Sequence, residues 1–365
     1  MDALDPQHSK TPQDKHEKQE ASVKGNNSVA LKAGTVTIAQ ATSTNDRKPL
    51  SPSREALQRF VRDKRALMCL LVLLFFILLP IVGPLFYQHI GVPYHSTTYG
   101  VISPDQYHNP FHQELDRQEE GPSPQYWLGT DSLGRDLLAR LMQGLLISLC
   151  VAVLVEIVDI VMGVSVGIIA GFYGKWVDQL LARFTDIIFA FPGLLFVILL
   201  AGIFGSSADS VFSNLPLIGA NGEARLVLVS MALAFVNWPF MARQVRGLTL
   251  QLREQQFVEA ATSTGAPASK IILRHIVPNV ISIVIVQATL NIGGTIVSEA
   301  GLSFLGLGVQ APGSSIGLMI NDAADLIDSK PWQVLMPSLV LTVIVLCFSF
   351  LGDGVRDAFD PRSRD

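Results

Sequence analysis

The chain has 365 residues, 49% of them hydrophobic and 16% charged, with a formal net charge of −4. Its apolar residues are gathered into long blocks instead of being spread at amphipathic spacing, which excludes an ordinary soluble globule and points to an integral membrane protein. The small acidic balance argues against nucleic acid as a partner, but in a membrane protein the sorting of charge between the two sides carries more information than its sum.

Residues 1–53 are rich in Ser, Thr, Gln, Lys and Asp and poor in aromatics. Such a segment cannot bury enough apolar surface to offset chain entropy, and a disordered cytoplasmic tail is expected. Nothing in it has the form of a signal peptide, so the first apolar run, starting near Ala66, is read as an uncleaved span. Ahead of it, SREALQRFVRDKR (Ser53 to Arg65) offers an N-cap, good helix formers and a basic end, as suits a helix lying on anionic membrane lipid.

Six spans are expected, at about 66–87, 143–171, 185–204, 226–243, 281–301 and 334–352. Each approaches or exceeds the ~20 residues needed to cross a hydrocarbon layer of about 30 Å. The fourth is interrupted by Asn237, Trp238 and Pro239, with Trp238 expected at the interface belt. Residues 54–140 then comprise the basic helix, the first span and a long periplasmic loop; 141–355 hold the remaining spans, and 356–365 form a cytoplasmic tail. With a cytoplasmic N-terminus, 22 of the 27 Lys and Arg fall on the inner side. The positive-inside rule therefore places both termini inside and residues 88–140 outside. Cys69, Cys150 and Cys347 all lie in apolar runs and are expected as buried thiols.

The outer loop ends in LGTDSLGRDLLARLMQG, where Thr130 or Asp131 is placed to cap a helix entering the second span. Asp131, Arg135 and Asp136 have no nucleophile or metal constellation beside them, so capping and ion pairing is their expected role. His108 and His112 have ligand-like separation, but Pro110 breaks the helix that would align them, and no metal site is expected. In the second span Glu156 and Asp159 share a helix face at mid-membrane, where carboxylates usually face a cavity or a partner. They are candidates for the solute path; the other reading has them bonded to a neighbouring span.

Between the fourth and fifth spans lies a long polar insert. EQQFVEAATST (254–264) favours helix, with Phe257, Ala260, Ala261 and Thr264 near one face. Gly265 supplies a left-handed stop and Pro267 fits the first turn of a second helix, ASKIILRHIV, expected to end near Pro278. Physics alone leaves two readings open: a knob that another protein grips through its small residues, or an amphipathic loop resting on the membrane.

Glu259, Ala260 and Ala261, then Gly265, then a hydrophobic residue and Pro278 resemble the EAA loop of permease subunits of bacterial ABC importers. His275 and Val277 stand where the general pattern has Ile and Leu. LGTDSLGRD (128–136), GFYGKWVDQLLARFTDIIFAFPGLL (171–195), EAGLSFLGLGVQAP (299–312) and LGDGVRDAFDPR (351–362) are similar to the second permease of dipeptide, oligopeptide and nickel importers, from about residue 54 to the C-terminus. Tyr126-Trp127 departs from the His-Pro usual in relatives.

The resemblance implies an all-α polytopic protein with six transmembrane helices, of the type I ABC importer permease fold, in the bacterial inner membrane. It implies a heterodimer with a homologous permease, two ATP-binding subunits, and a periplasmic or lipid-anchored solute-binding protein that delivers di- or oligopeptides. Glu259, Ala260, Ala261, Gly265, Arg274, His275 and Pro278 would couple to the ATPase. Gly129, Thr130, Asp131, Gly134, Arg135 and Asp136 form the periplasmic motif, and Glu299 with Gly301 would shape the outer gate through close packing. ATP and Mg would sit on the partner subunits. Consistent with that, the chain contains no GxxxxGK[ST] phosphate loop, and Gly265 to Lys270 has the wrong spacing. The alternatives are a secondary transporter or channel complete in one chain, and an intramembrane enzyme, for which only Glu156 and Asp159 approach a catalytic pair.

Overall fold

The computed structural model describes residues 52–212 and 224–359. The expected disordered tail, up to residue 51, lies outside the described residues, as does the end of the chain beyond Phe359. Among the described residues, six helices are long and apolar enough to cross a membrane: α2 (Lys64–Tyr87), α4 (Leu137–Tyr173), α6 (Gly193–Phe212), α7 (Ala224–Arg253), the continuous helix Ala268–Phe304, and α12 (Pro331–Phe359). The basic helix α1 (Pro52–Arg62) stops one residue before Asp63, whose carboxylate accepts the Arg65 and Ala66 N–H groups and so caps α2.

Between α2 and α4 the long loop folds into a hairpin, β1 (Tyr94–Ser96) with β2 (Gly100–Ile102), and a short helix α3 (Pro104–Tyr107). The hairpin is antiparallel, with His95 opposite Val101. Arg117 lies over the rings of Tyr94 and Tyr126, 4.9 and 4.8 Å from their centres, and its forked guanidinium also holds Glu120.

Long helix α4 is the spine. At about 1.5 Å per residue its 37 residues exceed the ~30 Å hydrocarbon core, so it projects beyond the membrane. It lies against α7 through Gly163, Gly167 and Gly171, a small residue every fourth position. A Cβ there would come within 2.6 Å of Met241 Cβ, 2.7 Å of the Ala242 carbonyl oxygen and 2.7 Å of Thr249 Cβ, respectively. Larger side chains would part the two helices. Helices α2 and α12 pack on the other side of α4, sharing a core of Leu73, Leu145, Ala152, Ile296 and Ile344.

Several expectations need correction. The third span does not run 185–204: the helix breaks at Phe191-Pro192, giving α5 (Lys175–Ala190) and α6, because Pro192 disfavours helical geometry at the residue before it. The fourth continues unbroken through Pro239 to Arg253, and Trp238 is 2% exposed against Ile188 and Ala242, not at an interface belt. Cys69 and Cys347 are buried, whereas Cys150 is exposed. The last helix runs to Phe359, beyond the expected start of the tail at 356.

A braced knob, a buried ion cluster and a polar cleft

Past Arg253, the chain turns into α8 (Gln256–Ser263). Gly265, at φ +78°, closes α8: the Ala266 N–H reaches the Ala261 carbonyl at 3.1 Å and the Gly265 N–H reaches Thr262 at 2.9 Å. Pro267 caps the restart, α9 (Ala268–Ile271). The second helix does not end near Pro278. It passes through a wide turn at Ile272–Ile276, where the Val277 N–H bonds five residues back to Ile272, and continues as α10 (Val277–Phe304). A proline in the first turn of α10 has no N–H to leave unpaired there, which reconciles it with a continuous helix.

Val258, Ile271 and Ile276 anchor this knob by inserting among Ile168, Met241, Val245 and Val280. Its outward side carries Glu259, Ala260, Gly265, Arg274 and Pro278, all exposed, with Phe257 at 42% and Leu273 at 70% exposure. Ala261 is half-buried against the anchor rather than fully presented, since it lies three residues beyond Val258. His275 is half-buried, its ring 6.0 Å from that of Phe257. The insert is thus one short helix, a glycine turn and the start of the long helix Ala268–Phe304, with an outward surface that mixes small, apolar and charged side chains.

At the other end of α4 the motif LGTDSLGRD folds into a buried ion cluster. Gly129 (φ +83°) and Gly134 (φ +72°) pack so tightly on the Glu120 and Glu114 carbonyls that a Cβ would overlap them. Thr130 donates to the Arg117 carbonyl and accepts the Glu120 N–H at 2.9 Å. Asp131 accepts from Arg135 Nε at 2.7 Å and from Arg140 Nη1 at 2.5 Å, and both guanidiniums also face Asp322, the penultimate residue of α11 (Ile316–Ala323). Burial and the neighbouring Arg140 pull the Arg135 guanidinium below its ordinary value, with Asp131 opposing. Neither Thr130 nor Asp131 caps α4: Asp136 does, accepting the Leu138 and Ala139 N–H groups while also holding the Tyr87 hydroxyl at 3.0 Å and His108 Nδ1 at 2.6 Å. The other His108 nitrogen lies 3.0 Å from the Ile90 carbonyl oxygen. His112 instead approaches Glu114, and no group of three or more His, Cys, Asp or Glu is placed to hold a metal among the described residues.

Glu299, fully buried near the end of α10, accepts from Ser148 of α4 at 2.5 Å and from Ser303 at 2.7 Å. Gly301 does not mediate close packing; space is open around it. The tight approaches are at Gly308 against Ser303 and at Gly317, where a Cβ would overlap the Ala300 carbonyl. These contacts lock α4, α10 and α11 together at the C-terminal end of α10.

In the middle of α4, Glu156 and Asp159 are 4% and 0% exposed, and none of their carboxyl oxygens has a hydrogen-bond partner among the described residues. Neither is among the residues lining the cleft of about 530 Å³ between α6, α7 and α10 or the cleft of about 700 Å³ between α2, α4 and α7. The first of these clefts has Asn237, Asn291, Thr295 and Ser298 among Phe189, Phe191 and Phe240. Gln244 donates to Gln287 and Gln287 to Asn291, each at 2.8 Å, extending its polar wall. These residues were passed over in the sequence, although Gln287, Asn291, Thr295 and Ser298 recur every three or four positions along an otherwise apolar span, a readable polar stripe. Arg140 and Asp322 were also missed; 182 positions apart, they carry no local signal of their pairing.

Residues 163–365 match the family described as binding-protein-dependent transport system inner membrane component, and residues 51–109 match the N-terminal transmembrane domain of oligopeptide transport permease C. The chain is 36% identical to the dipeptide transport system permease protein of Alkalihalophilus pseudofirmus, over 86% of this chain and 91% of that one. It is also 36% identical to the oligopeptide transport system permease protein of Haemophilus influenzae, over 85% and 89% of the two chains. Similarity to the glutathione transport system permease protein of Pectobacterium atrosepticum is 37% identity over 87% and 93%. Together with the six apolar helices, these matches establish that the chain belongs to the inner membrane components of binding-protein-dependent transport systems.

Proposed function

We propose that this chain is the non-catalytic permease half of an ATP-driven importer of di- or oligopeptides, of the type I architecture. The observation that carries this reading is the braced knob between α7 and α10, whose exposed Phe257, Ala260 and Leu273 suit an ATPase groove. The relatives' names, dipeptide, oligopeptide and glutathione permeases, support peptides as the solute class. A homologous second permease completes the path, two ATP-binding subunits carry ATP and Mg, and a solute-binding protein delivers peptide from outside. Both termini and the knob are cytoplasmic, in keeping with the bias of Lys and Arg. The regions 1–53, 54–140, 141–355 and 356–365 serve respectively as tail, basic helix with first span and periplasmic loop, permease core, and C-terminal tail.

In this machine Glu259, Ala260, Ala261, Gly265, Arg274, His275 and Pro278 transmit closure of the ATPase dimer into α7 and α10. The cluster from Gly129 to Asp136, together with Glu299 and Gly301, belongs to the outer gate. Glu156 and Asp159 meet solute when α4 and α7 part during the cycle, since a buried unpartnered carboxyl is costly to keep without such use.

The test is solute-stimulated ATP hydrolysis by the assembled complex carrying Glu259→Ala or Gly265→Leu. Stimulation should fall several-fold while the subunits still co-purify. Full stimulation with intact assembly would remove the knob's coupling role.

A further inference from the structure

Resting on the peptide-importer reading, we infer that the cleft between α6, α7 and α10 is this chain's solute-contacting wall, and that it recognises the peptide backbone while remaining indifferent to side-chain charge.

Three observations converge on it. First, amide side chains at membrane depth are poorly tolerated against lipid and are kept where they meet water, a partner helix or a solute. Asn291, Thr295 and Ser298 line one wall of a cleft of about 530 Å³, and Asn237 faces them from α7. Second, Thr295 is 2% exposed and its buried hydroxyl has no hydrogen-bond partner among the described residues. A buried hydroxyl left unmade costs about 1–3 kcal/mol, so it is kept for something that supplies the missing bond. Third, the polar wall continues as a ladder, Gln244 to Gln287 to Asn291, towards the helix ends nearer the knob.

The chemistry of the wall selects the ligand. None of the described lining side chains carries a charge. The charges just beyond it, Arg243 and Asp186, are paired at 3.1 Å, with Arg243 over the Phe189 ring. Channels that discriminate by charge line their path with charged rings, and such rings are missing from this wall. Amides instead offer both donors and acceptors, the complement of a peptide unit, which carries one N–H and one C=O whatever its side chain. Phe189, Phe191 and Phe240 give side chains an apolar, sequence-tolerant surface. Such a wall passes neutral, cationic and anionic peptides alike, and preference by charge is imposed elsewhere in the complex.

The experiment uses the complete complex, with partner permease, ATPases and binding protein, in proteoliposomes. Uptake of three tripeptides, Ala-Ala-Ala, Ala-Lys-Ala and Ala-Glu-Ala, is compared with wild type for each. Asn291→Asp places one negative charge in the wall and should lower uptake of the Glu peptide about tenfold relative to the Lys peptide. Thr295→Val should lower all three together, several-fold. Asp116→Ala, exposed between α2 and α4 and far from the wall, should leave the ratios unchanged. Should Asn291→Asp fail to assemble, Ser298→Asp on the same stripe reports the same ratio. An assembled, ATP-hydrolysing aspartate variant whose Glu-to-Lys ratio stays within about twofold of wild type overturns the inference. If the wild-type complex accumulates none of the three peptides, the peptide-importer reading itself falls, and the two failures are told apart by that control.

Discussion

Replacing Asp131 by alanine tests whether the motif LGTDSLGRD is a structural ion cluster. Its carboxylate accepts from Arg135 Nε at 2.7 Å, from Arg140 Nη1 at 2.5 Å, and from the Leu133 and Arg135 backbone N–H groups at 2.9 Å each. The arginine side chains are 3% and 1% exposed, so water cannot replace what is lost. Two buried guanidiniums would then face Asp322 alone, at 3.5 and 3.0 Å. Removing one partner from a buried ion pair costs ~3–5 kcal/mol. At about 2–4 °C per kcal/mol for a domain of this size, the thermal midpoint should fall by roughly 6–20 °C. Asp131→Asn keeps an oxygen for the backbone N–H groups and should lose less. Asp116→Ala is the control, because its contact with Thr98 is exposed and 3.3 Å long. The assay is thermal unfolding of the purified complex in detergent. A midpoint for Asp131→Ala within about 2 °C of the Asp116→Ala control would refute the reasoning.

Gly317→Ala should also destabilise, because its Cβ would overlap the Ala300 carbonyl oxygen, with the carbonyl carbon 2.7 Å away. Forcing that backbone apart costs about 1–3 kcal/mol, and unchanged hydrogen exchange at the C-terminal end of α10 would contradict the packing. The pH dependence of the α5–α7 clamp follows from Asp178, whose carboxyl the Arg246 guanidinium, bonded at 2.5 and 2.8 Å, holds below its ordinary value. A depressed folded-state value means the contribution is fully present above the unfolded pKa of about 3.9 and is lost as pH falls through the lower folded value. Exchange protection of α5 should therefore be flat from near-neutral to mildly acidic pH and weaken only in strong acid. In Asp178→Asn that acid-dependent loss should disappear, and its persistence would assign the effect to other carboxylates.

Much of the fold was legible because apolar run length and the Gly265 stop are local properties that neighbours seldom reverse. The six spans and the knob's helix, glycine and restart came through on that basis. The misreadings share a cause. Pro278 and Pro239 look like breakers when taken alone, but a wide turn before one and packing around the other carry the helix through. Trp238 reads as an interface residue until Ile188 and Ala242 close over it.

The candidate sites divide in the same way. By itself the sequence determined a six-span membrane component with a polar insert, since burial in lipid demands long apolar helices and an insert of that polarity must leave them. Only tertiary structure decided that Arg140 meets Asp322, that Glu299 is held by Ser148 of another helix, and that the polar stripe of α10 opens into a cleft facing Asn237. Those outcomes depend on which helix faces are brought together, and small residues such as Gly163 and Gly167 set that by allowing α4 and α7 to touch.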